Sequence, residues 1–280
     1  MSYSTLVSCA VLAEHLNDPA WRVFDCRHQL ANVQYGESAY AEGHLPGAFF
    51  MHMDRDLSGP LTGSNGRHPL PDPQVFAAKL GAAGVSRQTQ VVVYDDVGGM
   101  IAGRLWWMLR WLGHENVALL DGGLPQWVKE GRALTSEVPK FSPAVFAAEV
   151  HSDWTVTSAD LLTNIQSNQF CVIDARAPDR FRGENETIDP VGGHIPGARN
   201  RFCKDNLNAD GLFRPAAELR REFLGLLAGV SPEMAVMQCG SGVTACHNQL
   251  AMEIAGLHGA KIYPGSWSEW SSDPSRPVAR

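Results

Sequence analysis

The chain has 280 residues, 44% of them hydrophobic and 19% charged, with a net charge of −7. That composition fits a globular protein of two ordinary domains or one large one, and the absence of a basic stripe argues against a nucleic-acid partner. The opening Met1-Ser2-Tyr3-Ser4-Thr5-Leu6 has no cationic lead, and Arg104 and Arg110 break the apolar stretch from Ile101 to Leu112, so neither a secretory signal nor a membrane span is expected and the cytoplasm is the default compartment.

In chain order, Ser8 is a helix N-cap candidate ahead of Val11, Leu12 and Leu16. A short apolar strand follows and ends at Asp25 in "VFDCR" (23–27). "GHLPGA" (43–48) marks a Gly-Pro turn, and an irregular stretch leads to a helix at about 73–83. The strand "QVVVY" (90–94) runs into a loop, Asp95-Asp96-Val97-Gly98-Gly99, that opens a helix from Met100 to Leu112. A strand from Val117 to Leu120 precedes "DGGLPQW" (121–127). Residues Ser136 to Ser142, with Pro and Ser, then read as a linker.

After the linker the series begins again. Thr157 caps a helix carrying Leu161, Leu162 and Ile165, and a strand ends at Asp174 in "VIDAR" (172–176). "GHIPGA" (193–198), a helix at about 215–227, the strand "MAVMQ" (234–238), a helix from Val243 to Ala255, a strand from Ala260 to Tyr263 and "PGSWSEW" (264–270) complete it. Similar pieces in one order, at a nearly constant offset, indicate duplication. The expected fold is α/β, with two tandem domains, 1–135 and 151–280, joined by a linker at 136–150. Alternation of strands and helices predicts a parallel sheet in each, covered on both faces.

Six cysteines stand at 9, 26, 171, 203, 239 and 246, with no CxxC spacing, so neither a metal cluster nor a dithiol is signalled and no cofactor is called for. Most are expected to be small buried hydrophobes. Cys239 differs, because it closes a strand and precedes Gly240-Ser241-Gly242-Val243-Thr244. The carboxyl end of such a strand is where open α/β sheets bind ligands. Gly240 and Gly242 permit positive φ, so that successive N–H groups can form an anion nest, and the following helix adds its positive end. Both effects favour a nucleophilic thiolate, and the same cradle could hold the outer sulfur of a persulfide. At the matching place in the first half stands Asp95, which suggests one active and one retired half. Asp25, Asp174, His44 and His194 recur in both halves and are read as holding the fold. Cys246 reads as a buried thiol, or as a partner that resolves an oxidised Cys239. Trp106, Trp107 and Trp111 read as core or domain-interface packing.

"CGSGVTA", the paired GHxPGA segments and the closing "GSWSEW" resemble the tandem-domain rhodanese family over nearly the whole chain, and most closely its 3-mercaptopyruvate sulfurtransferase branch. The resemblance implies a ping-pong sulfur transfer through a Cys239 persulfide, with a small-molecule donor and a thiol acceptor such as thioredoxin, or cyanide. It implies that Ser241, His68 (from "GRHPLP") and Asp54 form a Ser-His-Asp relay, with His52 a weaker rival to His68. It further implies that Arg180 grips the donor's carboxylate, beside a loop formed by Gly240, Gly242, Val243 and Thr244. The branch often has a second arginine before GHIPGA, where this chain reads Glu184-Asn185-Glu186-Thr187-Ile188-Asp189; Arg182, Arg199 or Arg201 are the substitutes considered. Positions 240 and 241 carry no charge, which favours mercaptopyruvate over the thiosulfate dianion. A monomer is expected.

Two rivals stand beside this reading. A cysteine phosphatase needs C-x5-R, but Ala245 occupies the arginine position. A sulfur-carrier module would accept sulfur from a partner and turn over small donors poorly.

Overall fold

The computed structural model describes residues 2–280 and divides into two compact units. One takes the chain up to Gly59, with Pro71–His151 and Ala209–Phe213; the other takes Pro60–Leu70, Ser152–Asn208 and Arg214–Arg280. Residues 136–150, expected as a linker, are counted with the first unit, and one segment is lent in each direction. The consequence for the site is that Arg67 and His68, although encoded in the first half, are part of the second unit.

Each unit is built on a parallel sheet. In the first, β1 (Leu6–Val7), β2 (Trp21–Asp25), β3 (Ala48–Phe50), β4 (Gln90–Tyr94) and β5 (Val117–Leu120) stand in the order β1-β5-β4-β2-β3. In the second, β6 (Cys171–Asp174), β7 (Arg199–Asn200), β8 (Ala235–Gln238) and β9 (Lys261–Ile262) stand in the order β7-β6-β8-β9. The second order is the first without its edge strand, whose place is taken by a single parallel bridge between Thr155 and Ile262. Every residue of β4, β5, β6 and β8 is buried, as sheets covered on both faces require.

Helix starts follow the local chemistry. Ser8 Oγ accepts the Val11 N–H at 3.3 Å, and Thr157 forms a reciprocal capping box with Asp160. The helices expected near 73–83 and 215–227 run over Pro73–Ala82 and Ala216–Leu227. Those expected to open after the two loops run over Ala102–Trp111 and Thr244–Ile254. The strand β1 and the helix Tyr35–Glu42 are additions to the sequence reading. That helix has no apolar stripe, and it docks because Gly36 has no Cβ where the Arg27 carbonyl packs.

The residues shared by both halves form matching structural devices. Arg27 holds the buried Asp25 through two nitrogens and donates to Gly43 O at 2.8 Å; Arg176 holds the buried Asp174 in the same way and donates to Gly193 O at 2.7 Å. His44 Nδ1 lies 2.7 Å from Tyr40 O with its ring stacked on Tyr40, and His194 Nδ1 lies 2.9 Å from Phe181 O with its ring stacked on Phe181. Each pair clamps the GHxPGA turn to the end of its sheet. Trp106 and Trp107 are fully buried; Trp106 donates to Ser4 O and Trp107 stacks on Trp111. Among the described residues, no helix is long and apolar enough to cross a membrane, and no cluster of His, Cys, Asp and Glu could hold a metal ion.

Candidate active site

The strand β8 delivers Cys239 to the carboxyl edge of the second sheet. The segment after β9 pins the loop that follows: Cys239 N–H donates to Ser266 Oγ at 3.1 Å, Cys239 O accepts from Trp267 at 3.0 Å, and Gly240 O accepts from Ser268 at 2.9 Å. Ser266 is a non-glycine residue with φ of +53°, fully buried, whose hydroxyl donates in turn to Tyr263 O at 2.9 Å. A left-handed serine costs roughly 1 kcal/mol of backbone strain. Glycine would relieve that strain but would remove the hydroxyl that holds the Cys239 amide.

Inside the loop, the Gly242 N–H donates to Cys239 Sγ at 3.1 Å. Gly242 has a φ of +78°, the conformation expected of it. Gly240 does not share it, because the positive-φ glycines of the chain do not include this position. Its requirement is steric instead, since an added Cβ would lie 2.8 Å from Arg67 Nη2. Val243 is the N-cap and Thr244 the first residue of the helix Thr244–Ile254, so their amides belong to its unsatisfied, positive end. Cys246, fully buried on that helix, donates its thiol to Gly242 O at 3.3 Å and so braces the loop. Only 2% of Cys239 is exposed, and its sulfur lies inside the loop under the Gly242 amide. Burial, helped by the nearby Cys239, pushes the Cys203 thiol up to about 12, leaving it a spectator.

Ser241 and His68 meet as the sequence suggested, with Ser241 Oγ 2.8 Å from His68 Nδ1 and both side chains buried. Asp54 is described with the first unit. It lies in the short helix Met53–Asp56, its carboxylate 3.9 Å from His52 Nδ1. His52 caps that helix, with Nδ1 accepting the Asp54 and Arg55 N–H groups at 3.1 and 3.4 Å.

Arg180 occupies the loop's approach together with a residue the sequence reading passed over. Its Nη1 and Nη2 stand 3.8 and 3.9 Å from where a Gly240 Cβ would be, beside the nearer Arg67 Nη2. Arg180 is engaged: Glu186 takes its Nε at 3.2 Å and its Nη2 at 2.8 and 2.9 Å, and Asp189 takes Nη2 at 3.3 Å. Asp189 also pairs with Arg67 Nη1. Burial raises the Glu186 carboxyl, but hydrogen bonds from Arg180 and from the Asp189 and Ile188 amides outweigh it and leave it below its ordinary value. Burial holds Asp189 above its ordinary value, against the pull of Arg67. The acidic stretch before GHIPGA therefore fixes two guanidinium groups instead of supplying one. Arg182 pairs with Glu184, Arg199 with Leu226 O, and Arg201 with Glu222, so none of the three substitutes considered is committed to this loop. The signal for Arg67 was its place next to His68 in "GRHPLP".

In the first unit Asp95 closes β4 as Cys239 closes β8. Its Oδ1 accepts the Val97 and Gly99 amides at 2.9 and 2.8 Å, and its Oδ2 accepts those of Ile101 and Ala102 at 2.7 and 2.8 Å. Burial pushes this carboxyl up while the four amides pull it down.

A family model described as a rhodanese-like domain matches the chain twice, over residues 8–130 and 157–273. A Pseudomonas aeruginosa protein named "Probable 3-mercaptopyruvate sulfurtransferase" is 46% identical over all of this chain and 99% of its own. A Mus musculus thiosulfate sulfurtransferase is 37% identical over 96% of this chain and 92% of its own. Among solved structures, the 3-mercaptopyruvate sulfurtransferase from Leishmania major superposes with a TM-score of 0.84 at 30% identity, covering 96% of this chain and 74% of that one.

Proposed function

The chain belongs to the rhodanese family, and from that premise we propose that it is a sulfurtransferase that takes sulfur from 3-mercaptopyruvate and passes it to a thiol through a persulfide on Cys239. The observation that carries this reading is the Gly242 N–H directed at Cys239 Sγ within a loop of amides at a helix start. A sulfur anion placed there is stabilised by fixed dipoles that need no reorganisation.

In the first half-reaction the Cys239 thiolate attacks the donor's sulfur. The new S–S bond takes the place of the donor's C–S bond, and that bonding pair leaves with the carbon fragment as pyruvate enolate. The enolate then takes a proton and departs as pyruvate. Ser241 and His68 are suited to this leaving step. With its proton on Nδ1, His68 donates to Ser241 Oγ and frees the serine hydroxyl to donate to the donor's carbonyl oxygen as charge gathers there. No step is routed through Asp54. In the second half-reaction an acceptor thiolate attacks the outer sulfur, the S–S bond breaks, and Cys239 returns as a thiolate. A small dithiol protein such as reduced thioredoxin fits this role, and a reducing cytoplasm is the compartment in which it would be abundant. The protein is expected to act as a monomer.

Donor choice follows from charge. Arg67, Arg176 and Arg180 are joined to Asp174, Glu186 and Asp189 in one network, three cations against three carboxylates. A balanced network tolerates a monoacid better than a dianion. Thiosulfate is the second reading, supported by the name of the mouse relative. The test is mass spectrometry after incubation with mercaptopyruvate. One added sulfur on the peptide holding Cys239, absent from Cys239→Ser, is the expected result. An unmodified peptide, or full turnover by the variant, would sink the proposal.

A further inference from the structure

We propose that the first unit carries a ligand site of its own at the amino end of β2: a cleft that binds a small organic carboxylate with an apolar body, its charge held by Arg22 and Lys140. The site shares no residue with the Cys239 loop and does not depend on sulfur transfer.

The cleft has a volume of about 430 Å³, a size usual for small-molecule sites. Its walls set three basic side chains, His15, Arg22 and Lys140, among the apolar surfaces of Leu16, Trp21 and Phe141. Asp18, the carboxylate on its wall, is already engaged: Oδ2 meets His15 Nδ1 at 3.3 Å and Oδ1 accepts the Ala20 N–H at 2.9 Å.

Arg22 is a cation without a counter-charge. Its Nη1 donates to two neutral carbonyls, Pro19 O at 2.9 Å and Trp21 O at 2.7 Å, and its Nε is buried with no hydrogen-bond partner. Among the described residues, Nη2 makes no hydrogen bond, and no carboxylate pairs with Arg22 or with Lys140. The neighbours that strip water from the guanidinium are apolar: Phe141 lies under it, with the ring centroid 4.3 Å from Cζ, and Gly84 packs so closely that an added Cβ would stand 3.0 Å from Nε. That burial pulls Arg22 below its ordinary value. A desolvated cation is costly until an anion joins it, and Nη2 is the donor left for one. The shape of the wall decides what carries the anion. His15 and Trp21 stack with centroids 4.1 Å apart and planes 5° from parallel, which gives a flat, fixed aromatic surface beside the cations. Inorganic phosphate would meet the charges and leave that surface wet. A carboxylate on an apolar body satisfies both.

The test is a protein-observed NMR titration of the full chain with 3-phenylpropionate, compared with its neutral amide and with inorganic phosphate. The acid is expected to bind with a Kd of roughly 0.1–1 mM and to move the Arg22 Nε–H and Trp21 indole N–H signals. The amide lacks the charge and phosphate lacks the apolar body, so each should bind at least about tenfold more weakly. Arg22→Met should weaken the acid about tenfold to hundredfold, and Lys140→Met about twofold to fivefold. Equal affinity for acid and amide, a Kd unchanged in Arg22→Met, or shifts confined to the Cys239 loop would overturn the site. Phosphate binding as tightly as the acid would overturn the ligand class. If Arg22→Met does not fold, Lys140→Glu at its exposed position reads the same charge: affinity for the acid should fall about tenfold, and an unchanged Kd would count against the proposal.

Discussion

The loops after β4 and β8 are the same device with different contents. Each closes a fully buried parallel strand, turns its amides inward and opens a helix. The first holds the Asp95 carboxylate, whose two oxygens take four amide hydrogens at 2.7–2.9 Å. The second holds Cys239, whose sulfur accepts the Gly242 amide hydrogen at 3.1 Å. The Asp95 carboxyl fills its cradle, with burial holding it above its ordinary value against the pull of the four amides. The Cys239 sulfur meets the amide of Gly242 at the start of the helix Thr244–Ile254. The difference teaches that a loop between a buried strand and a helix can be built around an acceptor that takes four amides or around one that takes a single amide, and that only the second carries an atom able to form and break a covalent bond.

The sharpest way to break the comparison is to make the loops alike. Cys239→Asp should abolish transfer, by at least about a thousandfold, because no nucleophile remains. The variant should nevertheless melt cooperatively, since the first unit shows that such a cradle accepts a carboxylate. Residual turnover, or an unfolded second unit by near-ultraviolet circular dichroism, would contradict the equivalence. Next in size is Asp95→Ala, which strips the acceptor from four amides, those of Gly99 and Ala102 buried and those of Val97 and Ile101 partly so. A loss on the order of 3–5 kcal/mol in denaturant unfolding is expected, with the kinetic constants of the folded protein kept. A loss under about 1 kcal/mol would mean that the anion does not hold the first loop together. The smallest effect is expected from Ser241→Ala, where turnover of mercaptopyruvate should slow roughly tenfold and that of thiosulfate less, because only the first donor leaves as an enolate. Equal slowing would remove Ser241 from a donor-specific role.

Much of this was legible in the residues. The strands β2, β4, β5, β6 and β8 are short apolar runs, and the repeated GHxPGA and Asp-x-Arg pieces exposed the duplication and its clamps. Cys239 stood out because its neighbours have little reason to be glycine except a tight loop. His68 could be matched to Ser241 only through the family resemblance, since nothing local in "GRHPLP" points 173 residues ahead. Arg67 was missed for the same physical reason. An arginine beside a surface-type Gly-Pro stretch looks solvated until the fold brings Gly240 and Asp189 to it. The acidic run 184–189 was read as a gap in the carboxylate site. Its role is to hold arginines in place, which depends on pairings that spacing does not encode. The short helix Tyr35–Glu42 escaped because its stability comes from a glycine contact, not from an amphipathic face.

Residues 60–70 have one more implication. A C-terminal half cut free at residue 151 would keep its sheet and its nucleophile and lose Arg67 and His68. Expressed alone, it would resemble a single-domain sulfur carrier more than an enzyme with a chosen donor. The first half of the chain, whose own loop carries an aspartate, thus lends the second unit two of the side chains that stand beside its cysteine loop.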